Sequence, residues 1–312
     1  MTARIRPRRG TAAALCLGAA GTLLLSACSS SAPTGPSGNS TTPVKTEAGK
    51  QNVKYTYSAP EKFDASSQQP ILSAVVAQQP QAILIAPTDK VAMFQPMHQA
   101  KQAGINLITV DTKLDDASDL SAQINSDNIA GGALGADTMA QLIGNTGKVV
   151  AISEPPGSST DDERVQGFVD QMKAKHPTIQ VLPTQFADHS AQETAAKVAS
   201  ILAANPDLKG VFAVDNFTGD GAPIGVRNAN ARGNVKVVAF DAQPSQVQAL
   251  KGGDIDAIIS QNPYDMGVKG VQDAVALGKG QPVDKTTITG LKAITKSNVD
   301  APEVQPFIYK SC

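Results

Sequence analysis

The stretch AILIAPTDKVAMFQPMHQAKQAGINLITVDT, residues 82–112, decides the fold. It opens on one apolar run, Ala82 to Ala86, and closes on another, Asn106 to Val110. Both are rich in Leu, Ile and Val with few polar breaks, as strands covered on both faces read. Asp89 reads as an N-cap for the helical segment between them. Strand, helix and strand in that order call for parallel pairing through a right-handed crossover.

The same unit recurs outward in both directions. Further strands are expected at Val53 to Tyr57, Lys148 to Ile152, Gln180 to Pro183, Gly210 to Val214, Val235 to Phe240 and Asp256 to Ser260. Apolar residues at three- and four-residue spacing mark helices between them, such as Ile71, Leu72, Val75 and Val76, or Val165, Phe168, Val169 and Met172. Thr160-Asp-Asp-Glu163 and Ser190-Ala-Gln-Glu193 read as capping boxes, and Asp127 as a further N-cap. The expected fold class is α/β, and one sheet would need too many strands, so two lobes are expected. The turn near Asn145 to Lys148 marks the first crossover, giving lobes of 51–145 with 279–312 and of 146–278. Thr286 to Thr295 supplies late strands returning to the first lobe.

The first fifty residues differ in character. Arg4, Arg6, Arg8 and Arg9 precede Thr11 to Leu25, a run of mostly Ala, Leu and Gly too short to span a membrane as a helix, which is the pattern of a secretory leader. Leu25-Ser26-Ala27-Cys28 resembles a bacterial lipobox, so 1–27 reads as a lipoprotein signal peptide and Cys28 as the lipidated mature N-terminus. The competing reading is an ordinary leader with an incidental cysteine. Residues 28–50, rich in Ser, Thr, Gly and Pro, read as a flexible tether. The expected location is the extracytoplasmic face of the cell membrane, lipid-anchored. Without its leader the chain has 23 Lys and Arg against 28 Asp and Glu, a formal charge of −5, which argues against nucleic acid. Cys16 leaves with the leader, and Cys312 is then an odd thiol in an oxidising compartment.

Polar groups of one kind stand at the carboxyl ends of the expected strands, where open parallel sheets bind ligands. Asp111 follows NLITV, Asp215 and Asn216 follow GVFAV, Asp241 follows KVVAF, and Gln261 follows DAIIS. Arg164 is expected in the first turn of the helix after SEPPGSSTDDE. Carboxylates accept from adjacent hydroxyls while guanidinium and amide groups donate, a combination that suits a sugar or polyol. Phe217, in a chain without Trp, is the expected platform for the apolar face of such a ligand. A strand-end Asp is also a common helix N-cap, so the coincidence of several carries the weight.

The segment at 82–112, SDN at Ser126 to Asn128 followed by IAGG, ERVQGF, GVFAVDNFTGDGA, VVAFDAQPSQVQALKGGDIDAIISQNPYDMG and ITKSN resemble the ribose-type, periplasmic binding protein-like I family over roughly Gln51 to Asn298. The resemblance implies two Rossmann-like lobes joined by a multi-strand hinge, in a receptor that delivers a sugar or similar small polar solute to the permease of an ABC importer. It also implies a monomer with no catalytic residues, cofactor or metal. By position, Asp111, Arg164, Asp241 and Gln261 would hydrogen-bond the ligand, and Asp215 stands where relatives often have Asn. Thr112 stands where the ribose receptors have Arg, Ala86 where Asn can make contact, and His189 near a family aromatic. The family's first strand, aromatic loop and helix have no counterpart in SSSAPTGPSGNSTTPVKTEAGK, residues 29–50, so stability and affinity are expected to suffer. In some relatives a cysteine near the C-terminus pairs with one on that helix, and Cys312 lacks the partner.

Other readings stay open on the residues alone. A ligand-sensing lipoprotein feeding a membrane signalling partner would look the same, as would a truncated receptor with weak or lost binding. An enzyme is disfavoured: Gly219-Asp-Gly221-Ala-Pro-Ile-Gly225 misses a dinucleotide fingerprint by one residue, and His98, His176 and His189 lack metal-ligand spacing.

Overall fold

The computed structural model describes residues 41–310; the leader, Cys28, most of the expected tether and Cys312 lie outside them. In chain order the elements are α1 (Thr41–Lys50), α2 (Ala65–Val76), β1 (Ala82–Ile85), α3 (Phe94–Gln102), β2 (Asn106–Val110), β3 (Ala122–Ser126), α4 (Asn128–Leu142) and β4 (Gly147–Ser153). There follow α5 (Ser159–Lys175), β5 (Ile179–Val181), β6 (Gln185–Phe186), α6 (Ala191–Ala204), β7 (Leu208–Ala213), α7 (Asn216–Asn228) and β8 (Lys236–Phe240). The last are α8 (Pro244–Gly252), β9 (Ala257–Gln261), α9 (Pro263–Gly278), β10 (Thr286–Thr289), β11 (Leu291–Thr295) and a 3-10 helix, Pro302–Phe307.

Two sheets result. Four parallel strands in the order β1-β2-β3-β10 form the first. Seven form the second, in the order β11-β9-β8-β7-β4-β5 with β6 also on β4, all parallel except β11, which runs against β9. Side chains alternate across the second sheet. Val150, Ile152, Val211, Ala213, Val237 and Ala239 face one core, while Val149, Ala151, Phe212, Val214, Val238 and Phe240 face the other. That is the period of two a strand imposes, with both faces apolar because helices cover both. Full burial of each larger side chain contributes about 1.5–3 kcal/mol.

The chain changes sheets after Ser126, after Gln261 and between Thr289 and Leu291. The expected crossovers at 145 and 278 therefore lie one helix too late: α4 packs on α5 and the second sheet, while α9 packs on α1, β1, β2 and β3. Glycine explains the seat of α4. A Cβ on Gly132 would come within 2.1 Å of the Arg164 carbonyl oxygen, and one on Gly167 within 2.0 Å of that of Ile129, so the two backbones nearly touch. Of the late strands, β10 returns to the first sheet and β11 joins the second.

Two further expectations give way. Thr41–Lys50 of the supposed tether is helical, because Val44 and Ala48, four residues apart, are buried against Val271 of α9. Residues 53–57 belong to neither sheet, since a groove lies between them and β1 and a strand exists only through its ladder. Local signals mostly hold, but Asp89 does not cap α3, which starts at Phe94 after Met93; its carboxylate accepts from the Val91 and Ala92 N–H groups in the preceding turn instead. Asp127 caps α4 and Ser190 caps α6, accepting from Ala130 and Glu193 N–H groups. α5, in contrast, begins at Ser159 after Ser158, which places Thr160 inside the helix and Arg164 in its second turn. No helix among the described residues is long and apolar enough to cross a membrane.

Candidate functional site

Asp111 and Asp241 hold equivalent places in the two lobes. Each follows the last residue of a buried strand, β2 or β8, and each has a left-handed backbone, with φ of 68° and 66°. Asp tolerates that region better than most residues, and such conformations concentrate where a ligand is held.

Gln261, at the end of β9, lies between them. Its Nε2 donates to Asp111 Oδ1 at 2.9 Å, to the Tyr309 hydroxyl at 2.9 Å and more weakly to Asp241 Oδ1 at 3.3 Å. The Tyr309 hydroxyl in turn donates to Asp241 Oδ1 at 2.7 Å. On the other side of the amide, Gln261 Oε1 accepts from Ser126 Oγ at 3.2 Å, and that hydroxyl lies 3.3 Å from Thr289 Oγ1. Ser126, Gln261 and Thr289 are the residues at which the three connections leave their sheets, so one hydrogen-bonded cluster ties the whole hinge.

Arg164, only 2% exposed, projects from α5 toward the same place. Nε donates to Asn128 Oδ1 at 3.0 Å and a terminal nitrogen to the Val214 carbonyl at 2.9 Å, while the guanidinium lies 3.7 Å above the Phe240 ring. Asp161 and Asp241 approach it at 3.7 and 3.8 Å. Burial works against its charge, but Asp241, Asp161 and Asp111 outweigh that and raise its basicity. Burial also pushes Asp111 up to about 6 and Asp161 to about 7, against the pull of Arg164.

Asp215, Asn216 and Phe217 line the far end of the cleft. Asp215 serves as the N-cap of α7: its carboxylate accepts from the N–H groups of Phe217 and Thr218 at 2.7 and 2.9 Å and from the Thr218 hydroxyl at 2.9 Å. Burial, with Asp161 and Glu154 nearby, lifts it well above the usual carboxylate range. Phe217 meets the edge of His189 at 5.6 Å between ring centres, and Phe63, from the first lobe, meets the same imidazole at 5.4 Å. Glu154 lies beneath, 2% exposed, with one oxygen 2.9 Å from His189 Nδ1 and the other without a hydrogen-bond partner among the described residues. Burial lowers and Glu154 raises the basicity of His189, with a net increase. Glu154, Asp188 and His189 are close enough to share a cation, although a protonated imidazole would oppose one.

Opposite the hinge, ion pairs draw the lobes together. Lys90 meets Asp162 at 2.9 Å and Lys113 meets Glu163 at 2.6 Å, while the Lys113 N–H donates to Ser159 Oγ at 2.8 Å. The cleft between hinge and clasp is nearly shut, with about 30 Å³ of space among its side chains. That is room for a water or two, so a larger solute enters only when the lobes part.

Asp111, Arg164, Asp215, Asn216, Phe217, Asp241 and Gln261 all line this one cleft. Sequence reasoning left out Glu154, Asp161, Phe63 and Tyr309 and gave His189 no role. Glu154 follows β4 as Asp241 follows β8, so the strand-end rule could have found it. Tyr309 carried no signal, because it reaches the cleft only through the return of the C-terminal segment.

The profile of the periplasmic binding protein domain family matches residues 42–282. The chain belongs to this family. It is 34% identical over 214 residues to the ribose import binding protein RbsB of Salmonella typhimurium, covering 69% of this chain and 71% of that one. To the xylitol-binding protein of Mycolicibacterium smegmatis it is 31% identical, covering 76% and 67%. Among solved structures, it resembles an ABC transporter solute-binding protein of Agrobacterium vitis bound with alpha-D-tagatopyranose, with a TM-score of 0.84 and 42% identity over 87% of this chain and 94% of that one. A carbohydrate transporter solute-binding protein of Agrobacterium radiobacter in complex with D-arabinose gives a TM-score of 0.82 at 29% identity, covering 86% and 92%. The family expected from the sequence is thus the one found, with its two-lobed α/β fold.

Proposed function

We propose that this protein captures a small sugar in the cleft between its lobes and presents it to an ABC importer. The observation that carries the reading is the convergence of Asp111 from the first lobe with Gln261, Asp241 and Arg164 from the second on one closable gap. Asp111 and Asp241 would accept from sugar hydroxyls, and Arg164, Gln261 and Asn216 would donate to them. Asp215 lines the cleft while capping its helix, and a sugar hydroxyl would share its carboxylate with Phe217 and Thr218. Phe217 and Phe63 would take the apolar face of the ring. The relatives named above bind ribose, xylitol, tagatopyranose or arabinose, all neutral and polyhydroxylated.

In the mechanism, sugar binds while the lobes are apart and is then touched from both sides, so it stabilises the closed state by its greater affinity for it. The closed form, clasped by Lys90 and Lys113, is what a permease would recognise. Binding and hinge motion suffice for this role without any covalent step. A monomer held at the extracytoplasmic face of the cell membrane by a lipid on Cys28 completes the proposal, and a Cys28→Ser chain released in soluble form would support the anchor.

The test is thermal denaturation with D-tagatose, D-ribose, D-arabinose and xylitol. A ligand at a hundred times its dissociation constant adds about 2.7 kcal/mol of stability. A cooperative melt that none of the four shifts would sink the proposal.

A further inference from the structure

Five carboxylates line the cleft: Asp111, Glu154, Asp161, Asp215 and Asp241. Four of them have protein partners of opposite character. Gln261 donates to Asp111, the Tyr309 hydroxyl to Asp241 and the Phe217 and Thr218 N–H groups to Asp215, while Asp161 lies 3.7 Å from Arg164. Glu154, which follows the last residue of β4, differs. Its Oε2 is taken by His189, through the backbone N–H and an imidazole nitrogen at 2.9 Å. Its Oε1 is buried and, alone among the oxygens of these five carboxylates, is a buried acceptor with no hydrogen-bond partner among the described residues.

An acceptor left unpaired in the interior bears its whole desolvation cost, so folded proteins keep few of them. The groups nearby do not relieve this one. Ser158 and Thr160, the cleft-lining hydroxyls that follow Glu154 in the chain, bond to each other at 2.8 Å. Asp215, raised first by burial, is raised further by the charges of Asp161 and Glu154, so the surroundings add acceptors rather than donors. His189 fixes the carboxylate in this position. Its backbone is left-handed, with φ of 40°, and its ring stands between Phe63 and Phe217. Glu154 is therefore held at the aromatic end of the cleft with one oxygen unspent.

We propose that Glu154 is a ligand-binding residue whose Oε1 accepts a hydrogen bond from one hydroxyl of the sugar, at the end that lies on Phe217, and that this bond selects among sugars by the position and orientation of that hydroxyl. The proposal rests on the sugar-capture reading above. Selection follows from the chemistry of the group. An ionised carboxylate only accepts, so a carbonyl or ether oxygen of the ligand cannot replace the hydroxyl. A deoxy sugar or an epimer leaves the buried oxygen unpaired, and a site built to bond a hydroxyl discriminates strongly against ligands that lack it.

The experiment is titration calorimetry on the full chain with D-tagatose, D-ribose, D-arabinose and xylitol, then with the monodeoxy analogues of whichever binds most tightly, for the wild type and for Glu154→Ala. On the wild type, one analogue should bind at least tenfold more weakly than its parent. Glu154→Ala should lose at least tenfold toward the parent yet bind that one analogue as tightly as the wild type does, because the two deletions remove the same bond. Glu154→Gln, which can keep the contact with His189, is read by the same criteria if Glu154→Ala fails to melt cooperatively. Unchanged affinity of the variant for the parent sugar overturns the proposal. So does a loss spread evenly over the parent and every analogue, the pattern of a carboxylate that only supports His189. Binding of none of the four sugars removes the sugar-capture reading and this one with it, whereas wild-type binding without coupling to Glu154 removes only this one.

Discussion

Gln261 and Asp111 are 150 residues apart in the chain, yet the amide of one donates to the carboxylate of the other at 2.9 Å across the two lobes. The same amide contacts Tyr309 and Asp241, so a single side chain joins the first sheet, the second sheet and the C-terminal segment. In the closed cleft these carboxylates are already served by the protein. A sugar must compete with those bonds or add to them, which makes Gln261 the point where hinge stability and ligand affinity meet.

Gln261→Leu removes the shared donor and leaves Asp111 with less compensation. We expect a loss of about 1–3 kcal/mol in urea denaturation, together with at least a tenfold fall in sugar affinity by calorimetry. Full affinity in a folded variant would remove Gln261 from the site.

Arg164→Met retains bulk but strips the positive charge from between Asp161 and Asp241. Leaving buried carboxylates uncompensated costs about 3–5 kcal/mol, less whatever protonation relieves. The variant should recover stability as pH falls toward 5, and a loss independent of pH would point to packing against Phe240 instead.

The ligand-free protein should lose stability between pH 5 and pH 7.5. Asp111 and Asp161, raised by burial to about 6 and about 7, hold protons in the native state that the unfolded chain has released. Their contribution is complete below the unfolded value of 3.8 and declines as pH rises through 6 to 7. His189, raised by Glu154 despite its burial, contributes in the same direction. Calorimetric scans across this range would register the slope, and Asp161→Asn should flatten it. A melting temperature that climbs over the interval contradicts the assignment.

Lys90→Glu with Lys113→Glu replaces two attractions across the mouth of the cleft by repulsion with Asp162 and Glu163. Partly exposed pairs are each worth about 0–1 kcal/mol, so the expected effect is a several-fold drop in sugar affinity with little change in stability. Small-angle scattering should report a larger radius of gyration without sugar. An unchanged radius and affinity would mean that the clasp does not govern closure.

The alternation of strands and helices was legible from runs such as Lys236–Phe240, because periodicity is a property of neighbouring residues. Strand ends were legible for the same reason, and with them the positions of Asp111, Asp241 and Gln261. Asp215 was legible as a strand-end residue, but the backbone bonds that engage its carboxylate were not. The composition of residues 41–50 spoke for a tether, yet Val44 and Ala48 found Val271, more than two hundred residues later, and a helix formed.

By itself, then, the sequence determined a repeated βα chain with the family's motifs and with polar groups where its strands end. Tertiary structure alone decided that α4 and α9 exchange lobes, that 53–57 is not a strand, that Tyr309 enters the cleft and that a groove runs beside β1. The division has a physical cause. Local periodicity is set by the backbone geometry of adjacent residues, whereas lobe membership, hinge and groove depend on close approaches between distant segments, such as Gly132 against Arg164, that no single window of sequence contains.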